Sequence, residues 1–262
     1  MKLNLDTRKT LLENAVQYRE EAKKWRAKAE GAQKALLDTK KALEHQSNAI
    51  QQKIAAGAKH RREWFENFHY FYTTKGTLVV GGRNAKQNDT IFAKHCAKGE
   101  WFFHAEIRGA PAVVVKNPNA SEAELQEAAQ FAASYSSAWK REFGSIDVYA
   151  VKFEQVSKHF QGGYIDQGAF AIAGERKWFK NTLLGVQVCL DVDTLKITVR
   201  PLVSSSLGLC VKLLPGRQGK AVVSKAIKAY FAKKLFSQGK RVKLDEDEIT
   251  KVVPGDSTIV ET

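Results

Sequence analysis

The sequence predicts an α+β protein with three parts: an N-terminal helical coiled coil, an α+β domain with a mixed or antiparallel sheet, and a small C-terminal α+β lobe. Three observations carry this. A four-and-three spacing of apolar or small residues runs unbroken from Leu11 to Ile50, which is a heptad seam. Short β-type runs then alternate with turn signals and single helix-period segments. Finally, the excess of basic over acidic side chains is +8 over residues 1–62, +1 over 63–182 and +5 over 183–262, so composition changes at the same places as the pattern. These three spans are the expected domains.

The seam comprises Leu11, Ala15, Tyr18, Ala22, Trp25, Ala29, Ala32, Leu36, Thr39, Leu43, Gln46 and Ile50. Asp6 or Thr7 is the expected cap, and Gly57 the expected end or bend. A seam of this length needs a cover, so a partner helix or self-association is expected. In the central span, 70–74 and 77–80 read as a hairpin turned at Lys75-Gly76. Segments 101–107, 112–115, 146–153 and 168–174 read as further strands. Ser121-Glu122-Ala123-Glu124 is a capping box, opening a helix with Leu125, Ala128, Ala129, Ala132, Tyr135 and Trp139 on one face. In the C-terminal span, 186–192, 195–199, 209–214 and 258–260 read as strands. The segment 220–236 reads as a basic helix with Val223, Ile227, Tyr230, Phe231 and Leu235 inward, and 245–251 as a short turn of helix.

The net charge of +14 points to an anionic partner, most simply nucleic acid. No apolar run is long enough to span a bilayer, and the N-terminus lacks the order of a signal peptide; no membrane partner is expected. The three cysteines, Cys96, Cys189 and Cys210, follow no metal spacing and read as small buried hydrophobes suited to a reducing cytosol. His95 beside Cys96 is the one suggestion of a ligand pair, and neighbours on a helix point apart. No cofactor or metal is expected.

Nor does a catalytic set emerge. His104 and Glu106 share a strand face by period two, and Ser157 precedes Lys158, but no positioned base, oxyanion site or phosphate loop accompanies them. Binding accounts better for the polar residues gathered where strands become loops. Arg83, Arg108, Lys116 and Lys158 can meet phosphates; Asn84, Gln87 and Asn88 can hydrogen-bond base edges or sugar hydroxyls; His104 and Tyr164 can stack; Lys86, Glu106 and Ser157 complete the candidate nucleic-acid-binding set. His104 also reads as a satisfied core residue, and the lysines as solvated charges. Lys225, Lys228, Lys233 and Lys234 form a second candidate phosphate-facing stripe.

Several motifs in order give this reading a family. Gly81-Gly82-Arg83-Asn84, the 101–118 run through His104, Glu106 and Arg108, the helix 127–139, Gln155-Val156-Ser157-Lys158, Gly163-Tyr164 and Gly168-Ala169-Phe170 resemble the RNA-binding domain of the NFACT family of ribosome quality-control factors, the archaeal branch above all. The coil and the C-terminal span resemble the segments that flank that domain. The resemblance implies a cytoplasmic, non-enzymatic factor that binds large ribosomal subunit RNA and tRNA on obstructed subunits carrying peptidyl-tRNA. Residue 1 stands where the family's large N-terminal domain would already have ended. C-terminal tailing would therefore need a partner chain that contains that domain. The family usually has Asp at position 84, and Asp and His at 106 and 108; Asn84, Glu106 and Arg108 keep the site polar but remove any role tied to one carboxylate. A general RNA- or DNA-binding module and a coiled-coil adaptor are the alternatives.

Overall fold

The computed structural model describes residues 4–55, 63–160, 163–206, 208–240 and 242–260, without the side chains of 41–55, 160 and 164. The expected break at Gly57 and the side chains of Leu43, Gln46 and Ile50 fall outside the described residues. The chain divides into two compact units, 1–62 and 63–262.

Among its described residues the first unit has one helix, α1 (Leu11–Ala55). Its start is fixed by a reciprocal pair rather than by Asp6 or Thr7. The Thr10 amide donates to the Glu13 carboxylate at 2.7 Å, and the Glu13 amide donates to Thr10 Oγ1 at 3.3 Å. This satisfies two amides that a helix start otherwise leaves open. Asp6 instead donates its amide to Asn14 Oδ1 at 2.8 Å, which folds the entering chain back on the first turn. Along the seam Leu11, Trp25 and Leu36 are exposed.

The second unit follows in chain order: β1 (His69–Tyr72), β2 (Leu78–Gly81), α2 (Ala85–Lys94), β3 (Trp101–Ala105), β4 (Val113–Val115), α3 (Glu122–Ser134), α4 (Ser137–Lys140), β5 (Ser145–Lys152), β6 (Val156–Ser157), β7 (His159–Phe160), β8 (Gly163–Tyr164), β9 (Ala171–Ile172), β10 (Lys177–Leu183), β11 (Val186–Leu190), β12 (Ile197–Pro201), β13 (Leu209–Gln218), α5 (Lys220–Ser237), α6 (Glu246–Val252) and β14 (Ser257–Val260). One sheet has the order β1-β2-β4-β3-β5-β10 and a second the order β12-β11-β13-β14. Every pairing in both is antiparallel, so the α+β class holds with antiparallel sheets.

The two-residue period of a strand explains how the six-stranded sheet is buried on both faces. Val79, Phe103, Val113, Val115 and Ala150 point into a core shared with α3, α5 and the four-stranded sheet. Their neighbours Val80, Phe102, Val114 and Val151 point the other way, onto Ile91 of α2 and onto Phe65 and Phe68. The helix α3 is buried nearly all round, the polar Glu124, Glu127, Gln130 and Ser134 together with Leu125, Ala128, Ala129, Phe131, Ala132 and Ala133, because sheet lies on more than one side of it. On α5, Val223, Ile227, Phe231 and Leu235 are buried and Tyr230 is half-buried, at the spacing the sequence requires.

Three differences from expectation have local causes. Segment 168–174 is mostly loop, with only Ala171–Ile172 paired. Strand β10, not anticipated, carries Lys177, Asn181 and other polar residues at an edge, where one side meets solvent and the apolar alternation is weak; its register shifts between Phe179 and Thr182, and Asn181 has a φ of 51°. Two of the three cysteines are paired, correcting the view of them as separate buried hydrophobes. Cys189 and Cys210 stand opposite each other on β11 and β13 and form a disulfide. Antiparallel register puts directly opposed side chains on one face, and a 21-residue separation does not betray this. The remaining Cys96 is half-buried, and burial pushes its thiol up to about 12. Among the described residues no helix is long and apolar enough to cross a membrane, and no group of three His, Cys, Asp or Glu could hold a metal ion.

Candidate nucleic-acid interface

A cleft of about 610 Å³ opens where β2 passes into α2, bounded by Gly82–Asn88, by His104 and Arg108–Pro111, and by the loop 166–170, with Tyr135 and Tyr149 in its wall. Its foundation is the turn at Gly82. The Gly82 amide donates to the Ala112 carbonyl at 3.1 Å, and the Ala112 amide donates to Asn88 Oδ1 at 3.0 Å. A Cβ on Gly82 would lie 2.1 Å from Asn88 Oδ1, so the close crossing of β4 and α2 requires glycine there.

The amide residues of this stretch are committed to the fold. Asn84 is the N-cap of α2, its side chain accepting from the Gln87 amide at 2.9 Å. Gln87 accepts from the Arg83 amide at 3.0 Å and donates to the Asn67 carbonyl at 3.1 Å. Asn88 is buried. Lys116 and Lys158 are likewise engaged. Lys116 donates to the His95 carbonyl at the end of α2 and pairs with buried Glu100 at 2.6 Å, a cation at a helix C-terminus. His95 itself stacks on Trp64, ring centroids 4.0 Å apart. Lys158 pairs with Asp89, donates to the Ala169 carbonyl at 2.8 Å and lies 4.4 Å from the Phe170 ring. It thereby clamps the loop 166–170 to α2. Ser157 Oγ accepts from the His159 amide at 2.9 Å. Tyr164 pairs with His159 through its backbone, and its side chain lies outside the described residues.

What faces the cleft is a smaller, more basic set. Arg83 is exposed along its rim and donates one guanidinium nitrogen to the Phe68 carbonyl at 3.0 Å. Arg108 is exposed on the opposite rim, where its carbonyl accepts from Ser137 Oγ at 2.6 Å. Lys86 and Glu106 are also exposed; Glu106 lies one residue beyond the end of β3, its amide bonded to the Asp147 carbonyl. His104 stands in the wall. Burial lowers its pKa, while backbone hydrogen bonds at Ala105 and Ala110 act the other way and nearby Arg176 lowers it further. Behind Arg83, His69 is pushed down to about 3 by burial and then by the charges of Arg83 and Lys220. Its ring sits 4.1 Å from that of Tyr135. A neutral imidazole beside two cations leaves the field of the cleft positive without adding a titrating proton near pH 7.

A second group joins this wall that the sequence reading did not single out. Tyr149 of β5 lies 5.9 Å from His104, 5.6 Å from Trp178 of β10, and under the Arg176 guanidinium at 4.6 Å; Lys180 lies 4.2 Å from the Trp178 ring. Aromatic rings interleaved with cations form a platform on which bases stack. The signal was the run Arg176-Lys177-Trp178-Phe179-Lys180, which needed β10 to be recognised as a strand beside β5.

The loop 166–170 tests how the cleft is held. Gly168 has a φ of 80°, and a Cβ there would lie 2.6 Å from Ala85 Cβ and 2.7 Å from Ala85 Cα. Its amide donates to Asp89 at 3.0 Å. Gly168→Ala is therefore expected to cost about 1–3 kcal/mol locally and to detach the loop from α2. Hydrogen exchange should speed up at 166–170 while β3 and β4 keep their protection; unchanged exchange in the loop would contradict this account.

Comparison with known proteins agrees with the geometry. Residues 67–174 match the family model of the NFACT protein RNA binding domain, and every residue lining the cleft lies within that segment. The chain is 38% identical over 200 residues to the archaeal Rqc2 homolog aRqcH of Methanocaldococcus jannaschii, covering 74% of this chain and 28% of the relative. It is 34% identical over 165 residues to ribosome quality control complex subunit 2 of Schizosaccharomyces pombe, covering 60% and 16%. With ribosome quality control complex subunit NEMF of Homo sapiens it shares 29% over 178 residues, covering 66% and 16%. The chain thus spans less than a third of the length of these relatives. A solved structure, the C-terminal part of the fibronectin/fibrinogen-binding protein from Streptococcus suis, is 28% identical over 48% of each chain with a TM-score of 0.38, too low to speak for the fold. Residues 67–174 are thus similar to an NFACT RNA-binding domain, and the similarity to the archaeal Rqc2 homolog extends beyond them to 74% of this chain.

Proposed function

We propose that this chain is an RNA-binding part of a ribosome-associated quality-control factor, and that the cleft between Arg83 and Arg108 is where it reads RNA of the large ribosomal subunit. The observation that carries this is the coincidence of the basic, aromatic-walled cleft with the segment matching an RNA-binding domain. Named relatives are subunits of ribosome quality control complexes. In this reading the chain works in the cytoplasm on obstructed subunits that hold peptidyl-tRNA, contributes no catalysis of its own, and joins a tRNA-recruiting partner in C-terminal tailing. The exposed seam of α1 supports association with another helix.

Affinity and selectivity divide between parts of the chain. The span 63–182 carries a balance of only +1, whereas the flanks carry +8 and +5. Each phosphate contact on single strands contributes roughly 0.7 to the slope of log affinity against log salt, so the flanks dominate affinity. Of the α5 lysines, Lys225, Lys233 and Lys234 are exposed and Lys228 pairs with Glu246 at 3.4 Å. Reversing all four to Glu is expected to weaken binding to every RNA and flatten the salt slope by up to about 3. Arg83→Ala or Arg108→Ala should instead erode the preference for large-subunit RNA over unrelated RNA, with little change of slope. Affinities for both RNAs at several salt concentrations decide the matter. A full slope in the lysine variant, together with loss of all binding in Arg108→Ala, would place the affinity in the cleft and overturn the division.

A further inference from the structure

A second cleft, of about 600 Å³, lies between the outer strand of each sheet, β1 and β12, on a part of the molecule that the reading above does not use. Arg200 lines it and is 5% exposed, and among the described residues its Nε and Nη1 have no hydrogen-bond partner. An arginine taken out of water with donors unmatched is costly. Glu127, whose charge acts on Arg200, is engaged elsewhere: both its oxygens accept from the Thr74 amide, at 3.2 and 3.0 Å, and Oε2 also accepts from Ser204 Oγ at 2.7 Å. A buried, unmatched guanidinium beside an open cavity is a waiting donor for a ligand with acceptor atoms.

The rest of the lining narrows the ligand. The lining includes Tyr70, whose ring packs edge-on against Phe65 at 4.9 Å, Tyr72, which is 46% exposed, and Asp191 and Asp193. Asp191 accepts from the amides of Asp193 and Thr194, at 2.9 and 3.2 Å, and the Asp193 carboxylate is exposed, 3.8 Å from Lys240. A phosphate would meet two like charges here. A guanine base would not. Its O6 and N7 accept from a guanidinium, its N1–H and N2–H groups donate to a carboxylate, and its face stacks on tyrosine. Adenine turns an amino donor toward the guanidinium and is disfavoured. We infer that this cleft takes one unstacked guanine from single-stranded RNA, with Arg200 reading its acceptor edge and Tyr70 or Tyr72 its face. The inference rests on the RNA-binding reading for its biological source, but the pocket can be tested without it.

The direct test titrates the protein with 5′-GMP and, separately, 5′-AMP, following the Arg200 Nε–H resonance and the Tyr70 and Tyr72 ring signals by NMR. GMP should move all three and AMP should not. A parallel arm compares single-stranded oligonucleotides that differ by one G-to-A change; the G form should bind about fivefold tighter or more. Arg200→Lys should abolish the preference, because lysine keeps the charge but not the fork. Tyr72→Ala, at a partly exposed site, should weaken both G forms even if the Arg200 variant fails to fold. Equal responses to GMP and AMP, or none at Arg200, would overturn the guanine pocket even where RNA binding through the other cleft persists. Response to GMP alone with no binding of any RNA would keep the pocket and remove the RNA reading.

Discussion

Replacing Phe131 by alanine is expected to cost about 3–5 kcal/mol, the range for a fully buried aromatic side chain. Phe131 is completely buried on α3, with its ring 4.7 Å from Phe71 of β1 and 4.7 Å from Tyr135. The packing is close enough that a Cβ on Gly81 would come within 3.1 Å of the ring. Both sheets close on this helix, so neighbours on one side cannot collapse into the vacated space without leaving those on the other. The cavity contribution should therefore stand nearly in full, adding to the lost transfer energy. Urea unfolding at constant slope measures the cost, and in a thermal scan the midpoint temperature should fall by about 6–20 °C. Val222→Ala on α5, at a position 63% exposed, should change stability by no more than about 0.5 kcal/mol. A cost below about 1 kcal/mol for Phe131→Ala would mean that the shared core is not the structural centre of the second unit.

Glu124 should make the second unit acid-sensitive. It is 3% exposed. Desolvation alone would raise its pKa, but hydrogen bonds from Thr77, Ser121 and Thr73 outweigh that and hold the carboxyl down at about 2. Thr77 Oγ1 donates to Oε1 at 2.5 Å, and the Ser121 amide donates to Oε2 at 2.8 Å. One carboxylate thus closes the capping box of α3 and ties it to the β1–β2 hairpin. Because the folded pKa lies below the ordinary value of 4.5, the unfolded state binds the proton first. The stabilisation is complete above the ordinary value and is lost as pH falls from about 5 toward 2. Its size is on the order of 3 kcal/mol. Glu124→Gln should lose about 2–3 kcal/mol at pH 7 and show a flatter stability profile in that acid window. Parallel profiles for the two proteins would show that another group governs acid unfolding.

The fold was legible where local chemistry and the hydrophobic period agree. The Lys75-Gly76 hairpin, the Ser121–Glu124 box and the inward face of α5 are all written in short range. The sequence gathers several of the polar candidates around one cleft but does not assign their roles. Asn84, Gln87 and Asn88 have the side chains of base readers, yet the same amides are what a helix start and a close strand crossing require. Sequence does not say which demand is met first. Lys116 and Lys158 pose the same ambiguity, resolved by Glu100 and Asp89, residues far away in the chain. Tyr149 and Trp178 matter only because β5 and β10 are neighbours, and Arg200 only because β12 brings it under β1. Long-range pairing creates both groups, and no spacing rule reports it.

The irregularity in β10 has a consequence for how this protein behaves in a crowd of its own copies. As the last strand of the six-stranded sheet, β10 leaves a row of backbone groups without a neighbour, and such a row recruits strands from other chains. Here the register shift between Phe179 and Thr182, the left-handed backbone at Asn181 and the charges of Lys177 and Lys180 interrupt it. An incoming strand would find no straight run to zip onto, and at each attempt it would bring a lysine out of water. The edge that carries Trp178 is thereby kept from pairing with a second copy of the chain.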